Sequence, residues 1–334
     1  MAGEFLKITD VAKRLGVHYN TAYRLVTNGD LAATKVGTQW RVSPTEVERF
    51  IAKDNPSNGD SLDKPIIYAV VNQKGGVGKS TITVNLSEAL VTLGKRVLII
   101  DIDPQGNSTS HIGVNTSALP TIKEVLLDNF PTSEAIQKTS FGIDIIPADI
   151  GLSEAELELF TRMNRESILG DSLRKANGVI NQYDFILIDC PPSLGLLTVN
   201  ALSIADFCLI PVSISKFAMD GIKLLVRTVS ELRQETNKNL KIGHFVITQA
   251  DHRMNITKEF IDALSTSLPY SIAKTVIKHR KTILEAPFNS VPVGIYDPDG
   301  EAAQMFIELA KEILGGEVNG GENEAEAQLG TSSE

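Results

Sequence analysis

The chain has 334 residues, 42% of them hydrophobic, and a formal net charge of −9. That length and apolar content support one large domain with a smaller attachment and exclude a fibrous or wholly disordered chain. The acidic balance argues against a protein coated in nucleic-acid-binding charge, and the two cysteines, Cys190 and Cys208, lie in apolar runs without metal-ligand spacing, which argues against a disulfide framework or zinc site.

Residues 1–52 read as a small head. Thr9 is expected to cap a helix over Asp10 to Leu15 that stops at Gly16, and a second helix follows with Val17, Ala22, Leu25 and Val26 as its apolar positions, ending near Asn28-Gly29. Two short helices joined at a glycine suggest helix-turn-helix. Leu31 to Val42 alternates around Gly37-Thr38 as a β-hairpin wing bearing Lys35, Trp40 and Arg41, and Ser43-Pro44-Thr45-Glu46 is a capping box opening a third helix through Phe50 and Ile51. Residues 53–64 offer almost nothing to bury and several turn formers, which marks a flexible linker.

In the body, residues 65–314, β-branched runs alternate with helical stretches. Ile66 to Asn72, Arg96 to Asp101, Ile143 to Pro147, Phe185 to Asp189, Phe207 to Val212 and Ile242 to Thr248 read as strands. Thr81 to Leu93, Asp220 to Glu235, Ile256 to Ser267 and Glu301 to Leu314 read as helices. The expected fold class is α/β, a mostly parallel doubly wound sheet whose ligands bind at the carboxyl ends of the strands. Residues 315–334 hold five Glu and no Lys or Arg, and are expected to be a disordered acidic tail. No run approaches the roughly 18 apolar residues of a membrane span, and Glu4, Asp10 and Lys13 stand where a signal peptide would have its apolar core, so a cytoplasmic protein without a membrane partner is expected.

Directly after the first body strand comes Asn72-Gln73-Lys74-Gly75-Gly76-Val77-Gly78-Lys79-Ser80-Thr81. Its glycines let backbone N–H groups turn inward around phosphate oxygens, Lys79 brings positive charge to the outer phosphates, and Ser80 offers a hydroxyl to magnesium. The general loop G-x-x-x-x-G-K-[ST] is not strictly met, because Gln73 stands where the first glycine should be. After the second strand comes Asp101-Ile102-Asp103-Pro104-Gln105-Gly106-Asn107. A carboxylate there can orient an attacking water near a γ-phosphate, whereas a turn cap is the structural alternative for such a pair. The apolar strand Phe185 to Asp189, followed by Cys190-Pro191-Pro192, ends in a carboxylate suited to a magnesium water shell.

Together these strings resemble the ParA/MinD family of deviant Walker A P-loop ATPases, and the Asn72-Gln73 lead-in resembles its ParA, Soj-like branch. The resemblance covers residues 65–314. It implies ATP and Mg2+ as cofactors, a nucleotide cradle of Lys74, Gly75, Gly76, Val77, Gly78, Lys79, Ser80 and Thr81, and slow ATP hydrolysis. Lys74, the signature residue, would reach the partner's nucleotide across an ATP-sandwiched homodimer. Lys79 and Asp103 would be catalytic with it, Asp103 by orienting water. Ser80 and, through water, Asp189 would hold the metal, with Asp103 a further candidate. Adenine contacts are expected from the loop after Thr248 and the segment around Val291 to Asp297.

The head resembles the excisionase/MerR-like winged-helix family from Leu6 to Val42. That implies Asn20, Thr21, Tyr23 and Arg24 on a recognition helix, with Lys35 and Arg41 near phosphates. Residues 1–52 hold seven Lys/Arg against five Asp/Glu, a balance of +2, so one copy is expected to bind DNA weakly. On the body, the ParA resemblance implies Arg227, Arg233, Arg253, Arg280 and Lys281 as candidates for sequence-independent DNA contact. The expected function is DNA partition or intracellular positioning: ATP-driven dimerisation, DNA binding on the nucleoid, and hydrolysis stimulated by a ParB-like adaptor. The competing expectations are an ATP-responsive repressor of its own operon and a MinD-like positioning switch.

Overall fold

The computed structural model describes residues 6–15, 22–23, 26, 31, 33–36, 39–43, 47, 64–215, 218–251 and 253–316. Contacts divide the chain into two units, Met1–Asp63 and Lys64–Glu334.

In the first unit, α1 spans Ile8–Leu15. Lys7 rather than Thr9 precedes it: the Lys7 N–H donates to the Asp10 carboxylate at 3.3 Å, and the Lys7 carbonyl accepts from Val11 N–H at 3.0 Å. Asp10 at the third helical position thus reaches back over the first turn, half of a capping box, and the expected Thr9 cap is corrected to a residue inside the helix. Strands β1 (Thr34–Val36) and β2 (Gln39–Arg41) pair antiparallel with Lys35 opposite Trp40. Leu6 and Val42 exchange both backbone hydrogen bonds, closing the unit's start onto the end of the hairpin. Ile8, Val11, Val26, Leu31, Val42 and Val47 form its core. Most of the expected second and third helices, with Asn20, Thr21 and Arg24, lies outside the described residues.

The second unit runs β3 (Ile66–Val70), α2 (Lys79–Thr92), β4 (Val97–Asp101), α3 (Asn107–His111), α4 (Ile122–Leu127), α5 (Thr132–Ala135), β5 (Gln137–Lys138) and β6 (Ile143–Ile146). It continues through α6 (Leu152–Leu159), α7 (Ile168–Lys175), α8 (Asn177–Ile180), β7 (Phe185–Asp189), α9 (Leu196–Ile204), β8 (Phe207–Ser213) and α10 (Ala218–Glu235). Then come β9 (Lys241–Thr248), α11 (Asn255–Ser267), α12 (Lys281–Glu285), a 3-10 turn at Ala286–Asn289, α13 (Val293–Tyr296) and α14 (Glu301–Gly316). The last helix runs two residues past the expected domain end at 314.

Strands β3 to β9 form one sheet in the order β5-β6-β4-β7-β3-β8-β9, parallel except where β5 meets β6. Alternate side chains enter opposite cores, as a period of two requires: Ile67, Ala69, Leu98 and Ile100 on one face, Tyr68, Val70 and Val97 on the other. On the second face α2 and α14 cover the sheet through Ile82, Leu86, Phe306 and Leu309. Helix α2 is buried without interruption from Ile82 to Leu90, so its polar residues must find partners inside. Thr83 bonds the Lys79 carbonyl and Asn85 the Thr81 carbonyl. Among the described residues no helix is long and apolar enough to cross a membrane.

Candidate functional site

The site forms where β3 stops, beside the central strand β7. Gly76 (φ 72°) and Gly78 (φ 93°) take the left-handed conformation that a Cβ disfavours, which lets the chain turn from strand into α2 within eight residues. A Cβ on Gly75 or Gly76 would meet nothing within 4 Å, so the space beside the loop is open. Neighbouring strands fasten the loop from outside. Thr248 Oγ1 donates to the Val77 carbonyl and Gln249 Nε2 to the Gly76 carbonyl, both at 2.8 Å. Asn72 Nδ2 donates to the Pro211 carbonyl at 2.7 Å, and the Lys74 ammonium donates to Ser213 Oγ and Ser215 Oγ, each at 3.1 Å.

Register places the carboxylates. In the β4–β7 ladder Asp101 stands opposite Asp189, and in the β3–β7 ladder Val70 stands opposite Asp189, so both acids emerge beside the loop. Both are fully buried. Burial first, and then the neighbouring Asp189, push the Asp101 carboxyl well above the ordinary carboxylate range; burial likewise raises Asp189. Asp101 accepts from Thr109 N–H (2.9 Å), Thr109 Oγ1 (2.8 Å) and Asp103 N–H (3.1 Å), which commits it to the turn. Asp103 accepts from Gln105 N–H at 3.0 Å and, with Asp189, faces the Lys79 ammonium. Burial lowers the Lys79 pKa more than the two carboxylates restore it, so this ammonium is left short of negative charge.

Asp189 Oδ2 accepts from Ser108 Oγ at 2.7 Å, whereas its buried Oδ1 has no partner, although the Ser80 hydroxyl lies near enough to favour the ionised form. An orphaned carboxylate oxygen beside a serine hydroxyl, an under-compensated lysine and an open glycine loop fits a polyphosphate with a divalent cation. Gly106 (φ 58°) closes the turn after Asp103, and a Cβ there would come within 2.8 Å of the Ala148 carbonyl oxygen. Helix α2 is bound to the segment expected to meet adenine: Val293 N–H donates to Asn85 Oδ1 at 2.7 Å.

The basic candidates on the body already hold acceptors. Arg227 pairs with Glu231, Arg253 with Asp251, Arg280 with Glu301 and Lys281 with Glu285, while Arg233 donates to the Lys238 carbonyl. In the head, Tyr23 is exposed and Arg41 Nη1 donates to the Trp40 carbonyl at 3.3 Å. Sequence reasoning passed over Ser108, Thr109, Thr248, Gln249, Ser213 and Ser215. Ser108 and Thr109 directly follow the Asp101–Asn107 string and were within reach; the others come from strand ends more than 130 residues away from the loop they meet.

Residues 65–242 match the family model described as an AAA domain, and residues 5–55 match one described as a helix-turn-helix domain. Over 249 residues the chain is 40% identical to the sporulation initiation inhibitor protein Soj of Bacillus subtilis, covering 74% of this chain and 97% of that one. It is 38% identical over 252 residues to the chromosome partitioning protein ParA of Caulobacter vibrioides, covering 74% and 93%. A crystal structure of cobyrinic acid a,c-diamide synthase from Mycobacterium smegmatis, with bound ADP and magnesium, superposes with a TM-score of 0.67 at 32% identity, covering 77% of this chain and 96% of that one.

Proposed function

Because the chain belongs to the family of Soj and ParA partition ATPases, we propose that it is an ATP-driven switch that dimerises around nucleotide, holds DNA as a dimer, and is released when an adaptor protein stimulates hydrolysis. The observation that carries this is the convergence of Lys79, Asp103, Asp189 and the open glycine loop at one end of the sheet, with the second lysine, Lys74, exposed beside them.

In this scheme loop N–H groups and Lys79 bind the β- and γ-phosphates, which supply the negative charge the buried ammonium lacks. Asp103 accepts a hydrogen bond from a water and orients it toward the γ-phosphorus; hydrolysis then rests on position and charge more than on covalent help. Ser80 and, through water, Asp189 would hold magnesium, whose chemistry is to neutralise phosphate oxygens. Lys74 would complete the partner's phosphate site, so closure of the interface and the presence of the γ-phosphate become one event.

Sedimentation with ATP and magnesium tests the scheme: the native chain dimerises, and Lys74→Ala stays monomeric while retaining nucleotide. An intact dimer of that variant sinks the cross-interface role. A second reading, repression of the chain's own operon with ATP as effector, is favoured by the helix-turn-helix match at residues 5–55. Footprinting of the full chain on its upstream DNA separates the two, because a sequence-independent contact leaves no bounded footprint.

A further inference from the structure

The β3–β8 ladder pairs Val70 with Leu209, an offset of 139 residues. Strand β3 ends there, but β8 continues to Ser213. The overhanging part of β8 keeps the same offset with the loop: Asn72 Nδ2 bonds the Pro211 carbonyl and Lys74 Nζ bonds Ser213 Oγ, each 139 residues apart. Side chains therefore extend the ladder where backbone pairing has stopped. Ser215 Oγ adds a second acceptor at 3.1 Å, and the Lys74 N–H is fixed on Asn72 Oδ1 at 2.9 Å. Lys74 is thus held at its backbone and at its ammonium, against its own chain.

We propose that Ser213 and Ser215 are positioning residues for Lys74, a rest site that keeps the ammonium in its own subunit until a partner's phosphate competes for it. The inference rests on the cross-interface role given to Lys74 above. The acceptors are hydroxyls, which hold an ammonium by dipole alone, so a phosphate bearing full charge displaces them. Each subunit must release its lysine before the dimer closes. The fraction of chains with Lys74 released therefore enters the dimer constant twice, and a roughly threefold change per subunit becomes roughly tenfold in dimerisation.

The test measures dimerisation against protein concentration with magnesium and a non-hydrolysable ATP analogue, for the native chain, Ser215→Ala, Ser213→Ala/Ser215→Ala, Ser215→Thr and Lys74→Ala. The half-dimer concentration should fall several-fold for Ser215→Ala and roughly tenfold for the double variant. Ser215→Thr, which keeps a hydroxyl, should return to the native value, and ADP affinity measured below the dimerisation range should be equal in all the serine variants. Because Ser213 is buried, the half-buried Ser215 alone keeps the test valid if the double variant folds poorly. Unchanged or weakened dimerisation of Ser215→Ala overturns the rest site, as does a Ser215→Thr variant that behaves like alanine. A native chain that stays monomeric, or a Lys74→Ala chain that dimerises, overturns the cross-interface role and the rest site with it.

Discussion

Asp103 and His111 stand eight residues apart on either side of the Gly106 turn and lead to opposite kinds of measurement. Asp103 faces Lys79 at the centre of the site. Under the proposed scheme, replacing it with alanine should cut ATP turnover by roughly 100-fold while leaving an ATP-dependent dimer, because positioning of water would be lost and phosphate binding would not. Turnover by phosphate release, set beside sedimentation with ATP, checks both halves; unchanged turnover rejects the water-orienting role. His111 is buried with Nε2 unpartnered, and burial lowers its pKa to about 4 from an ordinary 6.5. A base depressed in the fold binds fewer protons there than in the unfolded chain, so its contribution is present above about pH 6.5 and is lost as pH falls through about 4. His111→Gln should remove that dependence. Denaturant unfolding from pH 7 to pH 4 should show the native chain losing about 3 kcal/mol relative to the variant. Asp189 was legible as the polar end of an apolar strand, and Ser108, which serves it, stands directly after the Asp101–Asn107 string; the hydroxyls that serve Lys74 were not legible, since neither serine type nor spacing marks a contact made across 139 and 141 residues.

Elements were legible in proportion to their length. The six longer strands announced themselves as β-branched runs, and α2, α10, α11 and α14 as amphipathic or apolar stretches of 13 residues or more. Helices of four or five residues such as α3, α5 and α13 complete fewer than two turns, too few for a period to show, and β5 has only two residues. Burial of α2 on every side gives it an unusual dependence on internal bonds. Asn85 Oδ1 is the acceptor of the buried Val293 N–H, so Asn85→Leu leaves that N–H unpaired and should cost about 1 to 3 kcal/mol. Chemical unfolding measures that loss, and nucleotide titration should show weaker ATP binding because the phosphate-loop helix and the 291–296 segment lose their bond.

For the whole molecule, the proposed association with DNA would compete with ion pairs already made. Arg253 and Arg280 are held by Asp251 and Glu301, and such exposed pairs are worth little enough to exchange for phosphate. Arg253→Ala and Arg280→Ala should each weaken binding of a non-specific duplex to the ATP-bound chain and reduce the slope of log affinity against log salt by about 1. Titration at several salt concentrations reads this, and an unchanged slope removes that residue from the DNA-facing set.

The fasteners of the phosphate loop also bear on the order in which the protein becomes competent during synthesis. Thr248 and Gln249 follow the carbonyls they hold by 171 and 173 residues, and Val293 follows Asn85 by 208. At ordinary elongation rates a growing chain displays its glycine loop for on the order of 10 to 40 s before the strand end that steadies it leaves the ribosome. Stalled chains ending before Thr248 should fail to retain nucleotide that full-length chains hold. The phosphate loop thereby gains its outer fasteners only after the last strand of the sheet is made.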